Sequence, residues 1–346
     1  MILSQDLRGT AILCGLAALF ALIAPGFLAL FTIITLTQVI GLAILALSLA
    51  LIWGYGGILC FGQTAFFGLG AYAYAVSATN FGDASVSILI AMAVAAAFAA
   101  ALGYFAFFGR VSDVYFAVIT LTVSLIFWAL IRRTSGPEYK IGDALLGGFN
   151  GTRAPPLNLP WNPSGLLFPE QTFHLAMGAL ILAYLFCGWL VRTRFGRVCV
   201  TIRENETRAE LLAYDTRLYK LGLFSIGAAI AALGGVFFSV GISRVTPDVF
   251  SLQQAALTII WVIVGGRGTL IGPILATFAL YFLTSSLGGQ AVLNTNLVLG
   301  VLLMAFVLGV PRGVLPSLMD LGARRRPSGR RGRRRPRRAA PAEPAE

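Results

Sequence analysis

The sequence has 346 residues, of which 58% are hydrophobic and only 12% are Asp, Glu, Lys or Arg, and its formal net charge is +12. A soluble domain carries about a quarter of its residues as charged side chains, and its helices alternate apolar and polar faces. The composition therefore excludes an ordinary soluble domain and favours an integral membrane protein.

Long uncharged runs predict the membrane spans in chain order. An apolar run of about 18 residues or more crosses the hydrocarbon as a helix, because lipid offers backbone N–H and C=O groups no other partner. The run between Arg8 and Asp83 has room for three spans, separated near residues 24–26 and 54–57. Single spans follow at 83–110, 114–131, 171–191, 221–243 and 249–266, and two at 268–311. We expect an all-α polytopic membrane protein with about ten transmembrane helices (about 8–10).

The distribution of basic residues predicts the orientation of these spans. With both termini in the cytoplasm, the inside segments hold 21 of the 26 Lys and Arg residues. Four of the five others lie in one long outside loop, 132–171, where the positive-inside rule is weakest. Adding or removing one span would place the two basic clusters, 192–220 and the C-terminal tail, on opposite sides of the membrane. We therefore expect ten spans with both termini cytoplasmic.

Two segments between spans are too polar and too long to be simple connections. Residues 132–171 are rich in Pro, Gly and Asn, which indicates turns. We expect this loop on the periplasmic side, where it caps the pore or touches a delivery protein, or is only a passive connector. Residues 192–220 hold seven basic and four acidic side chains. We expect one or two short helices there, lying along the cytoplasmic membrane surface, with Asn205 or Thr207 as a helix cap.

The chain divides into a transmembrane domain, 1–316, and an Arg-rich tail, 317–346. The tail packs ten arginines into residues 324–338, and such a block stays disordered because its charges repel one another. A basic run next to a membrane holds anionic lipid headgroups at about 1 kcal/mol per charge. We expect this cytoplasmic tail to bind anionic lipids and not nucleic acid.

The sequence carries no motif for catalysis or ATP hydrolysis. Lys140 and Lys220 are the only lysines, and neither follows a Gly-rich loop, so P-loop chemistry is excluded. We expect no enzymatic activity, no cofactor and no metal site. No Asp, Glu, Lys or Arg lies in the middle of a predicted span, which argues against an ion-coupled or proton-coupled carrier. A passive channel remains, or a pore that a cytoplasmic partner drives.

Two Gly-rich breaks, at residues 53–72 and 264–273, indicate a translocation pathway. Gly and Pro at membrane depth free backbone groups that only a neighbouring helix or a water-lined cavity can satisfy. Tight helix packing alone would also explain these glycines. The candidate pathway residues are Gly56, Gly57, Phe61, Gln63, Phe66, Gly265 and Gly266.

Several stretches, in order along the chain, resemble the branched-chain amino acid ABC permeases of the LivM type. The longest is IWGYGGILCFGQTAFFGLGAY at 52–72, and the others are Thr193–Arg197, Ile202–Glu206, Tyr219–Lys220, Thr246–Asp248 and Ile263–Pro273. The resemblance runs from about residue 30 to Pro316 and leaves out only the Arg-rich tail. It implies the fold of a type II ABC importer permease in the bacterial inner membrane.

The resemblance also implies a set of partners. These are a second homologous permease subunit, two cytoplasmic ABC ATPase subunits and a periplasmic substrate-binding protein. It further implies that residues 203–214 hold the coupling helix, which docks in a groove of the ATPase. The ATPase-coupling residues are then Arg203, Glu204, Glu206, Arg208, Glu210 and Ala213. Members of the family usually have Gly in place of Ala213, and this departure bears on whether a tight turn forms there.

The family resembled includes permeases for urea and short amides as well as for hydrophobic amino acids. Ile260-Trp261 followed by residues 264–269 is similar to the urea branch. Residues 61–63 are more similar to the amino-acid branch, because the urea branch often has His in place of Gln63. We favour branched-chain and other hydrophobic amino acids as the substrate, with urea or a short-chain amide as the alternative.

Overall fold

The structure, a computed structural model, describes residues 7–159, 162–288 and residue 300. Helices dominate this part of the chain. They are α1 (Leu7–Phe27), α2 (Leu30–Gly56), α3 (Gln63–Phe81), α4 (Ala84–Phe108), α5 (Asp113–Arg133), α6 (Pro169–Arg192), α7 (Arg194–Glu204), α8 (Glu206–Leu211), α9 (Thr216–Ile242), α10 (Leu252–Gly265) and α11 (Ile271–Gly288). The short strands are β1 (Lys140–Ile141), β2 (Ala144–Leu145), β3 (Thr152–Arg153), β4 (Asn158–Leu159), β5 (Asn162–Leu166) and β6 (Arg244–Val245). Two 3₁₀ turns lie at Gly148–Asn150 and Pro247–Phe250.

Five helices, α2, α4, α5, α6 and α9, are long and apolar enough to cross a membrane. Four more, α1, α3, α10 and α11, occupy the positions of predicted spans but are shorter or less apolar. The prediction of a mainly helical, multi-pass membrane protein is therefore confirmed. The tenth predicted span falls within residues 289–311, which lie outside the described residues apart from residue 300. The count of ten stays a prediction.

The core of the protein is an antiparallel pair of helices, α2 and α9. Every residue of α2 from Val39 to Ile52 is buried, as expected for a helix that is apolar on all sides and has neighbours all round. Small residues bring the two backbones together: a Cβ atom added at Gly41 would lie 2.6 Å from the carbonyl oxygen of Gly234. Close approach through small residues is what stabilises helix pairs in lipid, where apolar burial gives no net advantage.

Helix α3 runs parallel to α9 but starts partway along it. Its first residue, Gln63, contacts Gly227, and Ala71 further on contacts Gly235. Gly227 lies about 16 Å from the start of α9 at Thr216, at 1.5 Å per residue. The N-terminus of α3 is therefore inside the membrane-spanning region, and the non-helical backbone before it is surrounded by protein, as such backbone must be.

The loop between α5 and α6, predicted as turn-rich, contains five short strands. The strand pairs are β1 with β2, β3 with β6 and β4 with β5, all antiparallel. Side chains of α3 fasten the loop: the Tyr74 hydroxyl donates to Pro155 O at 3.0 Å, and Asn80 Nδ2 donates to Ile141 O at 2.9 Å. The loop thus lies against α3. Contact with a delivery protein stays a prediction.

The polar segment 192–220 contains two short helices, α7 and α8, as predicted. Asn205, one of the two predicted caps, begins α8 by accepting a hydrogen bond from Arg208 N at 2.9 Å. Helix α7 packs against α2, α6 and α9. The segment is therefore attached to the ends of the spanning helices and is not a detached loop.

Candidate functional site

Stretches that are far apart in the sequence meet at the C-terminal end of α2. Arg203, near the end of α7, donates a hydrogen bond from Nη1 to the carbonyl oxygen of Gly54. From the turn between α10 and α11, the carbonyl oxygen of Gly268 accepts a hydrogen bond from the Tyr55 hydroxyl at 3.3 Å. We call this meeting point the α2 junction; it comprises residues 53–57, 203 and 267–268.

Three glycines make room for the α2 junction. At Gly54 the backbone of Arg267 occupies the space of a Cβ atom, and at Gly56 a leucine side chain of α9 does so. Gly57 has a φ of 72°, and a Cβ atom there would lie 2.7 Å from Cγ of Arg203. A left-handed glycine is a common way to end a helix, and here it also lets α7 approach.

The turn between α10 and α11 is also built from glycine. Gly265 and Gly272 pack backbone against backbone, so neither position has space for a Cβ atom. Gly266 follows with a φ of 101°. This turn holds Arg267 where its guanidinium lies over the Trp53 ring, 5.1 Å from the ring centroid, which is a cation–π contact.

Side-chain contacts attach α8 to the start of α9. Glu206 forms an ion pair with Lys220 at 2.7 Å, and the Thr216 hydroxyl donates to Glu210 Oε1 at 3.3 Å. The ion pair is partly exposed, so it contributes no more than about 1 kcal/mol. Its importance is positional, because it joins α8 to a helix of the protein core.

The outer surface of α8 is open to a partner protein. Glu204 and Arg208 are exposed, and Leu211 and Leu212 expose 83% and 61% of their surface. Adjacent exposed leucines beside charged side chains are available for contact with a partner protein or with the membrane surface. The six predicted coupling residues thus lie at the end of α7, in α8 and in the turn that follows. Their role in coupling stays a prediction.

Ala213 forms a tight turn, although the family resembled usually has glycine at this position. Its φ is 63°. The N–H of Tyr214 donates to Ala209 O at 3.3 Å, and the N–H of Ala213 donates to Glu210 O at 2.9 Å. These bonds and the left-handed residue form a Schellman motif, the usual helix ending with glycine. An alanine in this conformation costs about 1–2 kcal/mol.

One face of α7 is anchored in the protein. Cys199 is 3% exposed, and its Sγ atom lies 4.0 Å from the carbonyl oxygen of Tyr219. Burial raises the pKa of the Cys199 thiol to about 12, because an apolar environment disfavours the thiolate. Cys199 therefore acts as a small apolar side chain that holds α7 against α9.

A second group of candidate residues lies within the membrane-spanning region, at the start of α3. Gln63 is 1% exposed; its Nε2 donates to Ser48 Oγ on α2 at 3.0 Å and to Gly227 O on α9 at 3.2 Å. A carbonyl oxygen can only accept, so the amide nitrogen of Gln63 must face Gly227. Gln63 Oε1 is buried and has no hydrogen-bond partner within the described part of the chain.

Hydroxyl groups extend these contacts across α3 and α5. Thr64 Oγ1 lies 3.0 Å from Ser124 Oγ, which donates to Phe250 O at 3.0 Å. Thr120 Oγ1 accepts a hydrogen bond from Gly62 N at 3.3 Å. We call Ser48, Gln63, Thr64, Thr120 and Ser124 the polar cluster. Of these five residues only Gln63 was predicted from the sequence, because a single hydroxyl in an apolar helix gives no signal until its distant partner is known.

An aromatic cluster lies one helical turn from Gln63. The Phe66 ring contacts Phe224 edge to face, with 5.2 Å between centroids, and Phe98 at 6.2 Å. Phe116 contacts Phe224 at 5.2 Å. Rings from α3, α4, α5 and α9 thus provide an apolar surface beside the polar cluster.

The predicted pathway residues fall into two groups. Those at or next to the α2 junction are Gly56, Gly57, Gly265 and Gly266; Gln63 and Phe66 lie in the deeper group, and the half-buried Phe61 lies between the groups in sequence. A small apolar pocket of about 60 Å³ lies between α1, α6 and α11, and none of the predicted pathway residues lines it. Their assignment to a pathway stays a prediction.

The chain is similar to known proteins over most of its length. Residues 30–308 match the family described as "Branched-chain amino acid transport system / permease component". The chain is 28% identical over 305 residues to the high-affinity branched-chain amino acid transport system permease protein LivM of Escherichia coli (strain K12). This match covers 82% of the chain and 69% of that protein. It is 27% identical over 292 residues to LivM of Salmonella typhimurium, covering 79% and 67%. No solved structure matches the chain.

A shorter match concerns a different substrate. The chain is 33% identical over 132 residues to the autoinducer 2 import system permease protein LsrC of Salmonella typhi, covering 35% of this chain and 37% of that protein. The family match, residues 30–308, includes the α2 junction, the polar cluster and the segment 192–220. The protein is a transport subunit and not an enzyme. The chain belongs to the family of permease components of branched-chain amino acid transport systems.

Proposed function

We propose that this chain is one permease subunit of an ATP-binding cassette importer that carries branched-chain or other hydrophobic amino acids across the bacterial inner membrane. The importer contains a second homologous permease, two cytoplasmic ABC ATPases and a periplasmic substrate-binding protein. Family membership supports the transport role and, in general terms, the ATPase and binding-protein partners. The similarity to proteins named LivM supports the amino-acid substrate.

The observation that carries the proposal is the double attachment of the α7–α8 segment. Arg203 joins it to α2, and Glu206 joins it to Lys220 of α9. Because α2 and α9 form the core pair, an ATPase that moves α8 also moves the two central helices. A driven pore needs such an attachment, whereas a passive channel has no use for it. The exposed Leu211 on α8 supports docking of a protein there.

We also propose that ten spans place both termini and the α2 junction in the cytoplasm. The excess of Lys and Arg in the segments on that side supports this orientation. The Arg-rich tail then lies beside anionic lipid headgroups. Removing residues 317–346 should weaken the binding of the detergent-solubilised protein to anionic vesicles without stopping transport.

A reporter enzyme fused after residue 205 should be located in the cytoplasm. Periplasmic activity there would exclude an ATPase contact.

Charge reversal on α8 tests the coupling role. The double variant Glu206→Lys with Glu210→Lys should lose stimulation of the ATPases while membrane insertion stays intact. Because Glu206 also pairs with Lys220, the comparison is Lys220→Glu, which breaks the same ion pair but leaves the surface of α8 unchanged and should therefore weaken coupling less than the double reversal. If ATPase docking and uptake survive the double reversal, the coupling assignment is wrong.

Proteoliposomes separate the proposed function from its alternatives. The complete importer should accumulate leucine only when ATP is supplied, and the chain alone should pass none. Flux of a small neutral solute through the chain alone would identify a passive channel. ATP-driven uptake of urea or acetamide, with none of leucine, would identify the alternative substrate class.

A further inference from the structure

We infer that Gln63 and the N-terminus of α3 form the polar end of an occluded site for the transported amino acid. Gln63 Oε1 accepts a hydrogen bond from the ammonium group, the first N–H groups of α3 bind the carboxylate, and the aromatic cluster around Phe66 receives the apolar side chain. This inference rests on the proposed import of amino acids and assigns the residues that recognise them.

The acceptor atom of Gln63 is the first observation. Both hydrogens of its Nε2 are used, by Ser48 Oγ and Gly227 O, and only Oε1 is left. Among the described residues it is the one buried side-chain acceptor without a partner; the two other unpartnered atoms, on Trp128 and Gln254, are donors. An unmet buried acceptor is costly, so a donor from outside this chain's own side chains is its natural partner.

The N-terminus of α3 is the second observation. The N–H groups of Gln63 and Thr64 open a helix and have no acceptor within it. The N-cap residue is Gly62, so the cap supplies no side-chain oxygen that would compete for these groups. α3 has 19 residues, and a helix of that length carries about half a positive charge at its N-terminus, which favours a carboxylate. Acceptor and donors for the two ends of a zwitterion therefore lie within one helical turn.

The surroundings fit a zwitterion with an apolar side chain. The polar cluster consists of hydroxyl and amide groups, and an ion of net charge would require an opposite charge at this depth. Phe66 and its neighbours Phe98 and Phe224 supply an apolar wall on the next turn. Small-molecule sites combine a mostly apolar lining with a few placed polar groups in this way.

The site is closed by the same helices that the α7–α8 segment holds. Gln63 joins α3 to both α2 and α9 through its amide nitrogen. A substrate reaches Oε1 only when this three-helix contact loosens. The ends of α2 and α9 carry the bonds to Arg203 and Glu206, so motion of α8 is transmitted to the helices that enclose the site.

The test is uptake of radiolabelled leucine by the complete importer in proteoliposomes. Gln63→Leu removes both amide functions at nearly constant volume, and Gln63→Glu keeps acceptor oxygens at the same place. We expect Gln63→Leu to lower the specificity of uptake, kcat/KM for leucine, by about tenfold or more, as for loss of a hydrogen bond to a charged group. Gln63→Glu should retain more uptake than Gln63→Leu.

Two variants distinguish recognition from helix packing. Ser48→Ala removes a bond to Nε2 of Gln63 but leaves Oε1 in place. Gln254→Leu makes the same change at the other glutamine with a buried unpartnered atom, which is a nitrogen. Gln254→Leu should keep uptake within about twofold of wild type, and Ser48→Ala should lose clearly less uptake than Gln63→Leu. If Ser48→Ala reproduces the loss seen in Gln63→Leu, Gln63 only holds the helices together and the inference is overturned.

Failure of the site and failure of the proposed function have different signatures. If wild type imports leucine and Gln63→Leu imports it equally well, the site is overturned and the proposed function stands. If wild type imports no leucine, the proposed function fails, and the same variants are assayed with urea. If only Gln63→Leu loses urea uptake, Oε1 accepts a hydrogen bond from an amide N–H of the solute. If wild type and Gln63→Leu take up urea equally well, the site is overturned as well.

Discussion

Arg203 and Gly54 are 149 positions apart in the sequence and are joined by a hydrogen bond from the guanidinium to the carbonyl oxygen. Gly54 lies in the last turn of α2, where a helix leaves its final carbonyl oxygens without an intrahelical donor. The guanidinium satisfies one of them and sets a positive charge against the negative end of the helix dipole. One side chain thereby caps the central helix and fastens α7 to it.

Removal of the Arg203 guanidinium should disconnect α7 from α2. We expect Arg203→Ala to lower leucine uptake per ATP hydrolysed by about tenfold, with normal membrane insertion, because α8 stays paired to α9. The matched control is Arg194→Ala, which removes the same charge from an exposed position at the start of α7. Equal coupling ratios in the two variants would show that the bond to Gly54 does not transmit force.

Gly57 and Gly82 allow backbone strain to be separated from side-chain contact. Both follow a helix with positive φ, 72° and 69°, but a Cβ atom at Gly82 meets nothing within 4 Å whereas one at Gly57 lies 2.7 Å from Arg203 Cγ. Gly82→Ala should cost about 1 kcal/mol of unfolding free energy, and Gly57→Ala about 2 kcal/mol or more. Thermal unfolding in detergent measures both changes. Equal shifts of the unfolding temperature would mean that the Arg203 side chain moves aside without cost.

The left-handed Ala213 predicts a stabilising substitution. Ala213→Gly should raise the local stability of α8 by about 1 kcal/mol, because glycine adopts a φ of 63° without steric cost. Hydrogen exchange of the α8 amides measures the effect. The same change inside the helix, Ala209→Gly, should act in the opposite direction by a similar amount. A faster exchange in Ala213→Gly would contradict the observed turn.

Burial of Cys199 predicts a slow thiol reaction. Its pKa is raised to about 12, so the reactive thiolate is scarce near pH 8 and becomes abundant only as the pH approaches that value. In a variant with Cys199 as the sole cysteine, maleimide labelling at about pH 8 should be at least about tenfold slower than that of a cysteine introduced by Leu211→Cys on the exposed face of α8. Denaturation in detergent should abolish the difference. Rapid labelling of the native protein would show that the face of α7 with Cys199 does not stay packed against the protein.

Much of the fold follows from composition along the chain. The breaks expected near residues 24–26 and 54–57 correspond to the ends of α1 at Phe27 and α2 at Gly56. Asn205 was recognisable as a helix cap because capping depends on a few neighbouring residues. The strands of the loop between α5 and α6 escaped prediction, because most have only two residues and carry no periodic pattern.

The partners of the polar groups depend on the tertiary structure. Gln63 bonds to the backbone carbonyl of Gly227 and to Ser48, and a backbone acceptor leaves no mark in a sequence. These contacts exist only because α2 and α9 meet in one register, set where Gly41 and Gly234 touch. Insertion into a membrane is decided by the composition of a single segment, which the sequence contains in full. Pairing across helices is decided by their relative placement, which no local stretch of sequence specifies.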